Sequence, residues 1–174
     1  MVREKTGTYS IFIAVAISSI LLTLALYFEY FEKILPCQLC IMQRYPHAIV
    51  ILLGVIAMIC SVRIRLFAAI LACSLMVLGT FMAGYHLGIE LNLWSGPSSC
   101  ANTPIDYELS PEKMLEKIKE TPIISCGKVT WSLLGLSMAG WNTLFSLALV
   151  FLWAFATKKI FESLNSQFSS SASQ

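Results

Sequence analysis

Cys37-Gln38-Leu39-Cys40-Ile41-Met42-Gln43-Arg44 runs straight into Tyr45–Val62, YPHAIVILLGVIAMICSV, a stretch with no Asp, Glu, Lys or Arg. The apolar residues from Ile34 to Met42 extend that stretch backward. The combined run is long enough for a helix that crosses a bilayer, which takes about 20 apolar residues. A Cys-x-x-Cys pair therefore sits at the mouth of a membrane helix. Its ring of four residues gains only about 2 kcal/mol from loop closure. A disulfide worth so little to folding is suited to being made and broken.

Outward from this junction, charge-free intervals repeat. No charged side chain occurs between Lys5 and Glu29, between Arg65 and Glu90, or from Val129 to Thr157. These gaps predict four transmembrane helices at about 8–29, 38–61, 66–88 and 130–156. The expected fold is an all-α membrane protein, a four-transmembrane-helix bundle forming one domain over 1–157. The composition agrees: 57% hydrophobic and 13% charged residues, with mean hydropathy +0.74. The net charge of +2 is scattered and offers no nucleic-acid groove. The apolar stretch Ile11–Phe28 is longer than a signal-peptide core and no small-x-small site follows it, so it reads as a retained helix.

Arg3, Lys5, Arg63, Arg65, Lys158 and Lys159 cluster on one side of this arrangement, which the positive-inside rule makes cytoplasmic. Both termini are then cytoplasmic. The turn carrying Cys37 and Cys40 and the loop 89–128 face the outer compartment, where disulfides persist. Within that loop, Ser110-Pro111 reads as the start of a short amphipathic helix over Glu112–Glu120, suited to the membrane surface. The tail 158–174 is Ser/Gln-rich from Ser163 onward and reads as disordered.

Orientation sorts the six cysteines. Cys37, Cys40, Cys100 and Cys126 face outward; Cys60 and Cys73 lie within helices and read as small apolar residues. Pro36 before Cys37 and the helix after it place Cys37 near a helix N-terminus, where free N–H groups favour the thiolate. Cys100 and Cys126 bracket about 27 residues, a closure worth roughly 3.5 kcal/mol if they pair. A structural staple and a labile, accessible disulfide both fit that spacing. A zinc site built from all four is the competing reading, but the second pair lacks the tight spacing of a zinc knuckle, and no metal is expected. Arg44 follows Cys40 by four residues, on the same helix face. It is either a headgroup-snorkelling arginine or a donor to an electron acceptor's oxygen. His86, near the outer end of the third helix, is either a satisfied interfacial histidine or a polar contact at the site.

Taken together, these residues resemble the DsbB family of bacterial inner-membrane disulfide bond formation proteins over roughly 8–157. The specific features are Pro36-Cys37-Gln38-Leu39-Cys40 with Ile41-Met42-Gln43-Arg44, Tyr85-His86, and Gly96-Pro97-Ser98-Ser99-Cys100. The stretch from Cys126 through Trp131, Leu134-Gly135-Leu136 and Met138 to Trp141 completes them. The resemblance implies a multi-pass inner-membrane thiol:quinone oxidoreductase. Such an enzyme reoxidises a periplasmic DsbA-type dithiol oxidase and passes the electrons to a membrane quinone, ubiquinone or menaquinone. Carried onto this chain, Cys37 and Cys40 form the quinone-coupled pair, with Cys40 facing the quinone. Cys100 and Cys126 form the mobile pair, Cys100 meeting the partner protein. Arg44 and His86 are the implied quinone contacts. Some relatives have Glu where this chain has Gln43. The reading from a different class is a non-catalytic four-helix protein stapled by disulfides, which would have no use for so small a Cys-x-x-Cys ring.

Overall fold

The computed structural model describes residues 2–97 and 125–172. The elements are α1 (Val2–Tyr30), α2 (Gln38–Ile59), α3 (Val62–Glu90), a hairpin of β1 (Ser132–Leu133) and β2 (Leu136–Ser137), and α4 (Met138–Ala172). All four helices are long and apolar enough to cross a membrane. Large apolar side chains remain exposed around the outside of the bundle: Phe12 at 61%, Leu52 at 60%, Phe81 at 73% and Phe151 at 67%, one on each helix. Such a surface is stable against lipid and costly against water.

Small residues let the helices approach. In α2, Val50, Gly54 and Ala57 share one face and are buried. A Cβ on Gly54 would lie 2.1 Å from Val15 Cγ2 of α1, so only glycine permits that crossing. Ile11 and Ala14 of α1, Ala69, Ala72 and Met76 of α3, and Leu149 and Trp153 of α4 complete the buried centre. Pro46 lies inside α2 and removes one backbone donor there. It packs against Gly79 of α3, where a Cβ would lie 3.3 Å from Pro46 Cβ.

Three expectations change. The fourth helix begins at Met138, not near residue 130, because the preceding residues form the hairpin, with Ser132 opposite Ser137 and Leu133 opposite Leu136. Leu134 (φ 54°) and Gly135 (φ 81°) both take left-handed backbone, as a two-residue type I′ turn requires. The tail expected to be disordered from residue 158 instead continues α4 to Ala172. Ala156, Ile160 and Ser163 recur at helical spacing and are buried, and Ile160 packs at Gly7 of α1. Finally, α1 and α3 extend beyond the charge-free gaps, to Val2 and Val62 at their starts. Charged residues are tolerated at helix ends because long side chains there can reach the membrane interface. The amphipathic helix expected at 112–120 lies outside the described residues.

Candidate functional site

Cys37 is the N-cap of α2: its sulfur accepts from the Cys40 backbone N–H at 3.2 Å. This matches the sequence reading of Cys37 at a helix start. The two sulfurs lie 2.7 Å apart, both as free thiols. The Cys40 thiol beside it holds the Cys37 thiol well below the usual thiol range. Burial opposes the shift, and hydrogen bonding to His86 reinforces it.

Cys126 meets the Cys37/Cys40 pair here. Cys126 is 2% exposed and packs with Cys37, Leu39 and Ile89, with Cys40 against them. It is disulfide-bonded. Ligand atoms of Cys37, His86 and Cys126 lie within 4.8 Å of one another. Three such donors resemble a metal triad, but a sulfur engaged in a disulfide is not a thiolate ligand. The arrangement suits thiol–disulfide exchange, in which a thiolate needs a disulfide sulfur within reach. Cys100 lies outside the described residues.

His86 stands over this junction from α3. Its Nε2 is 3.6 Å from Cys37 Sγ and 3.9 Å from Glu90 Oε1, one turn on. Its Nδ1 is 3.0 Å from Gln43 Nε2. Beyond Gln43 the polar contacts continue: Asn142 Nδ2 donates to Gln43 Oε1 at 2.6 Å, and Asn142 Oδ1 lies 3.1 Å from His47 Nε2. Glu90 is held by the Ser137 hydroxyl, which also caps α4 by accepting from Gly140 N–H at 3.1 Å.

Arg44 forms an ion pair with Glu29 of α1 and reaches the Ala25 carbonyl at 3.5 Å. Its charge is thus compensated inside the bundle, unlike that of an arginine extended to the headgroups. A cavity of about 410 Å³ adjoins all of this. Leu21, Leu24, Phe28, Trp131 and Phe145 give it apolar walls, and Cys40, Arg44, His47 and His86 give it a polar edge. His47 Nδ1 is buried there without a partner. A largely apolar slot with a few convergent polar groups is the usual form of a small-molecule site.

Cys37, Cys40, Cys126, Arg44 and His86 are therefore brought together. Sequence reasoning gave no role to Glu29, His47, Glu90 or Asn142. The available signals were an acidic residue near the end of each of two apolar runs and His86/Glu90 at helical spacing. Nothing in the chain order links Gln43 to Asn142. Cys60 and Cys73 are free and lie elsewhere on α2 and α3.

The model of the family "Disulfide bond formation protein DsbB" matches residues 8–156. A disulfide bond formation protein B of Azoarcus sp. is 29% identical over 171 residues, covering 92% of this chain and 99% of the relative. One from Xylella fastidiosa is 30% identical, covering 76% and 79%, and one from Haemophilus influenzae is 30% identical, covering 87% and 88%. An uncharacterized protein of Rickettsia prowazekii is 27% identical over 79% of this chain and 80% of its own length. No solved structure matches. With the family model reaching all four helices and the three described cysteines of the site, Cys37, Cys40 and Cys126, the chain belongs to the DsbB family.

Proposed function

We propose that this protein is a thiol:quinone oxidoreductase of the bacterial inner membrane. In this reading it reoxidises a periplasmic DsbA-type dithiol oxidase and so sustains disulfide formation in secreted proteins. The observation that carries the reading is the approach of the disulfide-bonded Cys126 to Cys37, with sulfurs and imidazole within 4.8 Å. A staple between loops needs no second thiol pair at its flank.

The proposed sequence is two exchanges. The partner's thiolate attacks Cys100 of the Cys100–Cys126 disulfide, and the partner's second thiol resolves the mixed disulfide. The partner leaves oxidised and the loop pair is left as two thiols. Cys126 then attacks Cys37 of a Cys37–Cys40 disulfide, breaking that bond and leaving Cys40 as the departing thiolate. Cys100 attacks Cys126 in turn, which re-forms the loop disulfide and releases Cys37. The net result moves two electrons and two protons from the partner to the Cys37/Cys40 pair. His86 lies where it stabilises negative charge on Cys37 each time that sulfur leaves. The adjoining cavity would hold a quinone beside Cys40, where it would supply the acceptor for the two electrons and two protons released as the Cys37–Cys40 disulfide re-forms. Arg44 would hold one of its oxygens with the donors that Glu29 leaves free, and the apolar walls would exclude water.

The test uses purified protein, a reduced DsbA-type partner, and short-chain ubiquinone or menaquinone analogues. Quinone absorbance should fall with one quinone consumed per partner disulfide formed. Partner oxidation that proceeds without quinone consumption would overturn the reading.

A further inference from the structure

Four side chains from three helices form one continuous polar line: His86, Gln43, Asn142 and His47. Gln43 and His47 are 7% and 5% exposed, and His86 is 2% exposed. Each link constrains the next. Asn142 spends its amide N–H on Gln43 Oε1, so its Oδ1 faces His47 Nε2, which must donate. Gln43 receives at its oxygen and so presents its N–H to His86 Nδ1, which must accept. That leaves the His86 proton on Nε2. The two groups that face Nε2 can both accept: Cys37 Sγ at 3.6 Å and Glu90 Oε1 at 3.9 Å.

We propose that Gln43 and Asn142, anchored on His47, are positioning residues that fix His86 as the Nε2–H tautomer and aim that proton at Cys37. This deepens, and rests on, the reading of Cys37 as a redox thiol. The alternative tautomer would put a lone pair on Nε2, leaving Cys37 to be satisfied as a neutral thiol. Reversing the tautomer requires both amides to turn over together and His47 to move its proton to Nδ1, which is buried with no partner; any lesser change would place two donors or two acceptors face to face. The line thus runs from His47 on α2 through α4 and back to α2 before it sets a directional preference at His86 on α3.

The chain has only two histidines, and both belong to this line. Nitrogen-15 labelling of histidine in the reduced, detergent-solubilised protein therefore gives four ring signals, assigned with His47→Gln. His86 should show a protonated Nε2 and an unprotonated Nδ1. Gln43→Met and Asn142→Leu should draw those two signals together as the tautomers mix. The same variants should slow alkylation of Cys37, read by mass on its peptide, about tenfold, the scale of one lost hydrogen bond to a charged group. His47→Leu should do so less, and His47→Gln, which keeps a donor toward Asn142, should stay near wild type. Gln43→Glu serves as the isosteric check on folding and should move the Nδ1 signal to the protonated position. Unchanged His86 signals and an unchanged Cys37 rate in Gln43→Met or Asn142→Leu, at native helicity, would overturn the proposal. Neither readout uses a quinone or a partner protein, so failure of the oxidoreductase reading and failure of this one are separately visible.

Discussion

At the scale of single residues, Cys37 carries the consequences. Its thiol is held low by Cys40, with support from His86 and against burial. A thiol with ordinary pKa near 8.5 loses alkylation rate about tenfold per pH unit below that value. In the reduced protein the Cys37 rate should instead stay nearly flat from about pH 8 to pH 6. A rate that fell like that of a free thiol would remove the thiolate from Cys37. Linkage gives the matching sign for stability. The folded value is depressed, so the contribution is present in full above the unfolded thiol range and is lost as pH falls through the folded value. Arg44 yields the second prediction. Arg44→Ala should raise the apparent KM for a quinone analogue strongly and Arg44→Lys modestly, since Lys keeps the charge without the planar fork. Glu29→Gln should lower the melting temperature, because it leaves a largely buried guanidinium uncompensated. Steady-state kinetics with quinone and partner varied separately, and thermal melts, check these. The cysteine pair and Arg44 were legible in the sequence because their spacing within one helix is their geometry. Gln43, His47, Glu90 and Asn142 were not, because their roles exist only once α2, α3 and α4 meet.

At the scale of elements, charge gaps located four helices because an apolar span excludes charge throughout its length. They misplaced the start of α4 because the hairpin before it is equally free of charge: turns are written in backbone dihedrals, and Leu134-Gly135 is a weak spelling of a type I′ turn. Leu134 is 84% exposed and Gly135 has no neighbour within 4 Å of a built Cβ, so only the backbone opposes substitution there. Gly135→Ala should cost about 1–2 kcal/mol of strain, and Leu134→Asn should stabilise the turn. Ser137 links this hairpin to the site, capping α4 and holding Glu90 beside His86. Ser137→Ala should cost about 1 kcal/mol as a lost cap and also free Glu90. A melt unchanged by Ser137→Ala would show that α4 starts without its cap. The tail was misread for the opposite reason: its Ser/Gln composition hides the Ala156, Ile160, Ser163 face that seats it on α1.

At the scale of the whole molecule, α2 carries a free thiol close to each end, Cys37 as N-cap and Cys60 as C-cap. At 1.5 Å per residue the two lie about 35 Å apart, more than the thickness of a hydrocarbon core. The exchange site belongs to the Cys37 end. The basic residues Arg63 and Arg65 begin α3 beside the Cys60 end, and Arg65 closes that turn onto the Ala57 carbonyl at 2.9 Å. One helix therefore contains its own topology control. In reduced intact cells that retain an outer compartment, a membrane-impermeant thiol reagent should label Cys37 and leave Cys60 untouched. After lysis it should reach both, and a tag after Gln174 should become accessible only then. The contrast is read on two peptides of one chain, so differences in expression or folding cancel. Labelling of Cys60 before lysis and of Cys37 only after it would invert the bundle. The exchange site would then face the reducing side, where a quinone-driven supply of disulfides has no substrate to serve.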